Sequence, residues 1–520
     1  MKRTLVLNVA GLGADLVAEM PALERLAGRG ALLPLEPVLP ATTCPMQATL
    51  TTGEPPARHG IIANGLYFHD TAEVRFWEQS ARLVGAPRVW ELPMRSAAGH
   101  GTSRTRAREC GVRSEKKKVP HPRNPPFDHA QGPAVRPCSP PRACRGEALE
   151  GQSEISPAVA LAKAGRNPKL KVAMLFWQQS LYGTADVILT PKPVHGPRGE
   201  LVEDCWSRPA DLYRRLAESL GPFDLMHYWG PMAGIGSSRW IADAALDVWR
   251  TDRPDLALVY LPHLDYSGHR AGPTSDAHRE AARKLDALVA PLLAAAEEDG
   301  ARAIVLSEYS FVPVRRAVAP NRALREAGLL TVREVAGAEY LHAGDSRAFA
   351  MVDNQVAHVY FPASADLERD VRKVRAILKG VDGIGAVLDR EAMSEVGLDH
   401  VRSGELVVLA EPDAHFTYYW WLDDAKAPPF ARTVDIHAKP GFDAAELFVD
   451  PATKAIPLSA ERVRGSHGLV PDGGAGWGVL LVSDPPKELA GRRSIRATEV
   501  AHLLSRGALE RSPSRSNTRE

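Results

Sequence analysis

The sequence predicts an α/β fold: a mostly parallel central sheet with helices on both faces, joined to a smaller inserted α+β cap. Three observations predict it. Short apolar runs alternate with helix-length stretches in the first third of the chain and again from 171 to 307, the rhythm of strand–helix–strand units. Polar residues able to do chemistry follow directly on several of those runs, where open α/β sheets place their sites. From 328 to 462 the rhythm changes, and this segment is read as the cap.

The elements follow in order. Residues 4–9 form an apolar run and the first strand. A helix over 21–29 begins at Pro21, whose missing N–H costs nothing in a first turn. A strand over 31–38 leads to Ala41-Thr42-Thr43-Cys44-Pro45-Met46-Gln47, where Pro45 suits a first helical turn and Gly53 suits the stop. Thr43 therefore stands at a helix N-terminus, where N–H groups and the dipole favour an anion. A hydroxyl there is placed to attack phosphorus; the competing reading is a plain helix cap.

Further on, strands are expected at 171–177, 255–261 and 303–307, with helices at 241–249 and 275–296. Pro291 should kink or split the second of these helices. Asp265 and His269 are expected where the 255–261 strand gives way to a loop. His467 lies between glycines in Arg464-Gly465-Ser466-His467-Gly468, which let the backbone come close. Two imidazoles and a carboxylate, with room for another ligand, make the donor set of a catalytic zinc site rather than a closed structural one.

Within the cap, strands are expected at 348–360 and 405–409 with a helix at 366–378. Its densest feature is Phe416-Thr417-Tyr418-Tyr419-Trp420-Trp421. That run serves either as a stacking wall for an aromatic leaving group or as core or interface packing. His437, which follows it, is a candidate substrate or second-site group. The run at 477–482 then resumes the main sheet. The expected organisation is core at 1–94, 168–327 and 463–504, with the cap at 328–462. Residues 95–167, rich in Arg, Pro, Ser and Gly and carrying Lys116-Lys117-Lys118, read as a disordered insertion, and 505–520 as a disordered tail.

The chain has 520 residues and a net charge of +1, with 24% charged residues. That balance leaves no footprint for a nucleic-acid polymer or an anionic membrane. No apolar run is long enough to span a bilayer. Five cysteines, an odd and sparse set, fit a reducing compartment, so the expected location is the cytoplasm. Cys44 beside the candidate nucleophile reads as packing.

These motifs resemble the alkaline phosphatase superfamily, on its branch of type I phosphodiesterases and nucleotide pyrophosphatases. The matching pieces are Thr43-Cys44-Pro45 through Gly53, His59-Gly60-Ile61 with Asn64, Asp265 to His269, and Gly465-Ser466-His467-Gly468, in the family's order. The resemblance implies an alkaline phosphatase-like fold, Thr43 as nucleophile, and Asn64 holding the phosphoryl oxygens. It also implies one divalent metal, zinc by its donors, bound by Asp265, His269 and His467.

A second metal position departs from the pattern. Ala10 stands where the family has Asp, and Glu308-Tyr309 where it has Asp-His. Glu308 is the remaining candidate ligand there, with Tyr309 and Asn8 as candidate second-site or substrate groups. Sulfatase chemistry is set aside, because Gln47 replaces the Arg of that motif and Cys44 is shifted by one. The expected function is that of a metal-dependent phosphodiesterase or nucleotide pyrophosphatase-like hydrolase, acting on a small phosphate ester with Thr43 as nucleophile. The alternatives are a phosphate-binding protein that lost turnover with Ala10 and Tyr309, or another phosphoryl or phosphonate hydrolase of the superfamily.

Overall fold

The computed structural model describes residues 2–92, 170–197 and 200–509. The expected insertion at 95–167 lies outside the described residues.

A nine-stranded sheet runs through the molecule. Its order is Ile495–Arg496, Ala31–Glu36, Gly478–Val482, Arg302–Leu306, Thr4–Val9, Leu256–Leu261, Val172–Leu175, Val187–Pro191, Cys205–Arg208. The central strands, from Arg302–Leu306 through Val187–Pro191, are all parallel. Gly478–Val482 runs antiparallel between Arg302–Leu306 and Ala31–Glu36, and Cys205–Arg208 is antiparallel at the far edge. The sheet is thus mixed and mostly parallel, as the alternation predicts.

Strand alternation divides the core into two faces. Leu5, Leu7 and Val9 of the first strand join the helices Ile235–Thr251 and Asp276–Glu298 on one side. Val6, Ile304 and Leu306 join Met46, Leu50, Val500 and Leu503 on the other. That second face carries the helices Thr43–Thr52 and Ala497–Leu509. Asn8 shares its parity with Val6, and Glu308 with Leu306. Both therefore sit on the side of the Thr43 helix.

The helix Asp276–Glu298 runs continuously through Pro291 and is not split there. Pro291 and Ala287, whose carbonyl loses its partner, are both exposed, so water satisfies that carbonyl. Burial of Leu285, Leu288, Val289 and Leu292 holds the helix together. Asp286 on its inner face accepts hydrogen bonds from Ala22 and Leu23 N–H, capping the helix Pro21–Arg29 from outside. Asp286→Ala would orphan those buried donors and should cost about 2 kcal/mol. The expected readout is a lower urea midpoint with turnover unchanged at saturating substrate.

The segment expected as one strand at 348–360 is a hairpin, Phe349–Asp353 paired with Val356–Tyr360. Asn354 turns it with a φ of 58°, a conformation Asn tolerates well. With Leu406–Ala410 and Ile384–Leu388 it builds a four-stranded antiparallel sheet, backed by the helix Leu367–Lys379. This sheet does not keep a core of its own. Ile62, Leu66, Tyr67 and Phe76 from the first segment pack into it. Tyr418, Tyr419, Trp420 and Trp421 are buried in the same core, so that aromatic run is packing rather than a stacking wall. The helix Ala497–Leu509 runs past the expected start of the disordered tail at 505.

Candidate active site

The Thr43 helix starts where the sequence places it, with Thr43 as its first residue and Gly53 closing it in the left-handed conformation, φ 76°. Thr43 is buried. Cys44 N–H donates to Asn64 Oδ1 at 2.9 Å, and Pro45 has no N–H to give. The Thr43 N–H therefore remains as the helix-end donor nearest its own hydroxyl. Burial pushes the Cys44 thiol far above its usual range, which fits a packing role.

Asn64 is fixed from the other side by Asp353. Asp353 accepts from Asn64 N–H at 2.8 Å and from Asn64 Nδ2 at 3.0 Å. One hydrogen of the Asn64 amide nitrogen is thereby used and the second remains for a ligand. Burial raises the Asp353 carboxyl to about 6, against the lowering effect of its bonds to Asn64 and Asn354. Sequence reasoning missed Asp353 because it lies inside an apolar run; the Asp353-Asn354 turn signal was the available clue.

Asp265 and His269 sit on a helix, His263–Ala271, not in a loop. The chain turns helical directly after the strand, and the four-residue spacing puts both side chains on one face. Gly268 and Gly465 explain how close the third member comes. A Cβ on Gly465 would lie 2.4 Å from the Gly268 carbonyl oxygen, and one on Gly268 would strike the Phe311 ring at 2.4 Å. This approach lets His269 Nδ1 donate to Gly465 O at 2.9 Å. His467 Nδ1 likewise donates to Ala41 O at 2.8 Å, just before Thr43.

With each Nδ1 committed to a carbonyl, both imidazoles turn Nε2 inward. His269 Nε2 lies 3.9 Å from Asp265 Oδ2, and His467 Nε2 lies 4.0 Å from Asp265 Oδ1. Ligand atoms of the three residues all fall within 4.8 Å of one another. His269 Nε2 is buried without a hydrogen-bond partner, a cost that a cation would relieve. Burial holds His269 down to about 4 and His467 well below its usual range. Both imidazoles are thus neutral and able to donate a lone pair. Burial raises Asp265 to about 7, partly offset by a bond from Tyr309. The donor set and geometry fit one divalent cation.

Tyr309 links this cluster to Thr43. Its hydroxyl donates to Asp265 Oδ1 at 3.0 Å and lies 3.1 Å from Thr43 Oγ1. Its ring stacks on His467 with centroids 3.5 Å apart and planes 4° apart. Since its one proton goes to Asp265, the phenol oxygen accepts from Thr43.

Glu308 stands apart from the ligand cluster. Its Oε1 accepts from Asn8 Nδ2 at 2.6 Å and from Gln47 Nε2 at 2.5 Å. Gln47 is oriented by Gln178 N–H, which donates to its Oε1 at 2.7 Å. Burial raises the Glu308 carboxyl to about 8, against the lowering effect of these bonds. The carboxylate also interacts with the Thr43 hydroxyl. Glu308 Oε2 is buried without a hydrogen-bond partner. Gln47, one turn beyond Thr43 on the same helix, was missed from sequence, though the i, i+4 spacing would have found it. His437 is exposed, and its N–H is held by Asp435.

The profile described as type I phosphodiesterase / nucleotide pyrophosphatase matches residues 4–443. The chain belongs to that family. It is therefore a member of the alkaline phosphatase superfamily with the corresponding α/β fold. No curated protein matches the sequence.

Among solved structures, phosphonoacetate hydrolase from Sinorhizobium meliloti 1021 in complex with phosphonoacetate is similar, with a TM-score of 0.55 and 16% identity, covering 98% of this chain and 96% of that one. An inactive variant of murine ectonucleotide pyrophosphatase / phosphodiesterase 5 in complex with AMP gives 0.53 and 12%, covering 99% and 96%. The human protein of that name gives 0.54 and 11%, covering 98% and 96%. The family's hydrolases act on phosphoester bonds and depend on divalent metal. Among the described residues no helix is long and apolar enough to cross a membrane.

Proposed function

We propose that this chain is a hydrolase of small phosphodiesters in which Thr43 is the nucleophile and Asp265, His269 and His467 hold one divalent cation, zinc by their chemistry. The observation that carries this reading is the gathering of those three ligands, with Tyr309 bonded at once to Asp265 and Thr43. A cation bound there supplies Lewis-acid stabilisation of negative charge on oxygen.

The chain's own groups do the rest. Thr43 Oγ1 attacks phosphorus: the Oγ–P bond forms, the bond to the leaving oxygen breaks with its electron pair, and the Thr43 proton ends on the departing oxygen. The Thr43 N–H and the spare hydrogen of Asn64 Nδ2 point toward the non-bridging oxygens and stabilise their added charge, as donors of an oxyanion hole do. Asp353 keeps Asn64 from turning away. Water then cleaves the Thr43 phosphoester and frees the hydroxyl. Because similar structures hold phosphonoacetate and AMP, phosphonates and nucleotide phosphoesters are worth trying first as substrates.

The test is turnover of bis(p-nitrophenyl) phosphate by chelator-treated protein before and after addition of zinc or manganese. Activity should vanish with the chelator and return with one of the ions. Tight phosphate binding without turnover under every metal would favour the phosphate-binding protein instead.

A further inference from the structure

Beside the Asp265, His269 and His467 cluster lies a cavity of about 210 Å3 that the steps at Thr43 do not use. Phe442 joins the two: its ring centroid is 5.5 Å from that of His269, and the same ring walls the cavity. Trp77 and Trp229 are two further walls. Trp77 donates its backbone N–H to the Asn64 carbonyl at 3.0 Å. Its φ is 61°, a left-handed conformation that is costly for a bulky side chain and is concentrated at functional sites.

These rings do not form a flat slot. The planes of Trp77 and Phe442 meet at 65° with centroids 6.3 Å apart, and those of Trp229 and Phe442 at 53° with centroids 5.6 Å apart. A planar base stacks best between near-parallel faces. Inclined faces around one cavity make a corner, which suits a compact, rounded group.

The charged walls add a sign. Lys439 is buried, and its ammonium donates to Asp443 Oδ2 at 2.8 Å and to Glu446 Oε1 at 2.7 Å. One positive charge against two carboxylates leaves a surplus of one negative charge. Glu446 also accepts from Trp229 Nε1 at 2.5 Å, so the ion group fixes the Trp229 ring. Burial pushes the Glu446 carboxyl up, against the pull of Lys439, as expected for a buried charge short of a partner. A second cavity, of about 270 Å3, shares Phe442 and Asp443 with the first. It adds His415, held neutral because burial lowers it to about 4, and Asn354, whose Oδ1 is a buried acceptor without a partner. Arg270 lines neither cavity; its N–H groups go to the carbonyls of Gly230, Pro231, Ala233 and Leu447.

We infer that the corner of Trp77, Trp229 and Phe442, together with Asp443 and Glu446, is a subsite for an alkylammonium group on the second ester arm of the substrate. This rests on the hydrolase reading above and names its substrate class, a phosphodiester of an amino alcohol. Aromatic faces attract a cation through their quadrupoles, and the surplus carboxylate charge adds to that attraction. A carboxylate or a further phosphate in the same place would meet Asp443 and Glu446 with no free cation on the walls to answer it.

The test compares two esters with the same leaving group on metal-loaded protein: p-nitrophenyl phosphorylcholine and p-nitrophenyl 3,3-dimethylbutyl phosphate. The second copies the trimethylammonium shape without its charge. The expected result is a kcat/KM about 10-fold or more higher for the choline ester, with the ratio narrowing toward one in Asp443→Asn. Equal values for the two esters in wild type, or a preference for the neutral one, would overturn the inference and leave the hydrolase reading standing. An unchanged ratio in a folded Asp443→Asn would also overturn it, since the surplus charge would then play no part. No turnover of either ester or of bis(p-nitrophenyl) phosphate with zinc or manganese would remove both readings. The wild-type ratio needs no variant, so a misfolded Asp443→Asn would still leave the preference for a cation decided.

Discussion

Thr43→Ala should lower kcat for a phosphodiester by about 10^4-fold or more, the order lost when a covalent nucleophile is removed and only binding and electrostatics remain. The effect is large because Thr43 carries its hydroxyl at the helix end, with its oxygen fixed by Tyr309. The fold should not suffer. Thr43 makes no capping bond through its side chain, and the helix start depends on Thr42 and on Asn64 accepting from Cys44. Zinc content should stay at the wild-type value, because both imidazoles keep their carbonyl partners and Asp265 keeps the bond from Tyr309. Thr43→Ser, which restores a hydroxyl, should recover part of the rate. A Thr43→Ala protein that turned over at the wild-type rate would move the nucleophile elsewhere.

The second large effect is expected at the cation. His269→Ala removes a direct ligand, so the loss of zinc affinity should exceed the roughly 10–100-fold that follows loss of a hydrogen bond supporting a ligand. Titration with a competing chelator would measure it. Turnover at limiting zinc should fall in step, and raising the zinc concentration should restore part of it. The contrast with Thr43→Ala is the diagnostic point: one substitution removes rate and spares metal, the other removes both. Equal zinc affinity in His269→Ala and wild type would place the cation at other residues. His269 packs edge-on to Phe311 and near Phe442, so the urea midpoint should be followed in parallel.

The parts of this site legible in the sequence are those fixed by local chain chemistry. Pro45 and Gly53 bracket a helix, and an apolar run ends just before Asp265, so Thr43, Asp265 and His269 could be placed near the ends of elements. His467 was legible through its flanking glycines, and Gly465 meets the Gly268 carbonyl as that reading requires. What was not legible comes from sheet register and long-range partners. Asn8 is opposite Leu306 in the parallel pairing, which brings Glu308 within reach of it. No spacing in the sequence announces that two amides will occupy one of its oxygens. Asp353 hid for a related reason: a buried carboxylate between apolar neighbours reads as strand interior until the hairpin and the Asn64 contact are seen. The helix is not split at Pro291 because the freed carbonyl lies on the exposed face, where water can reach it.

The two carbonyls that aim the imidazoles belong to Ala41 and Gly465, far apart in the sequence, and the helix carrying Asp265 and His269 lies between them along the chain. A nascent polypeptide still being translated carries Asp265 and His269 long before His467 leaves the ribosome, and neither imidazole has its full support until residue 467 docks beside residue 41. Zinc acquisition should therefore be the last event of maturation. Tight metal retention would then report that synthesis and docking of the closing segment are complete.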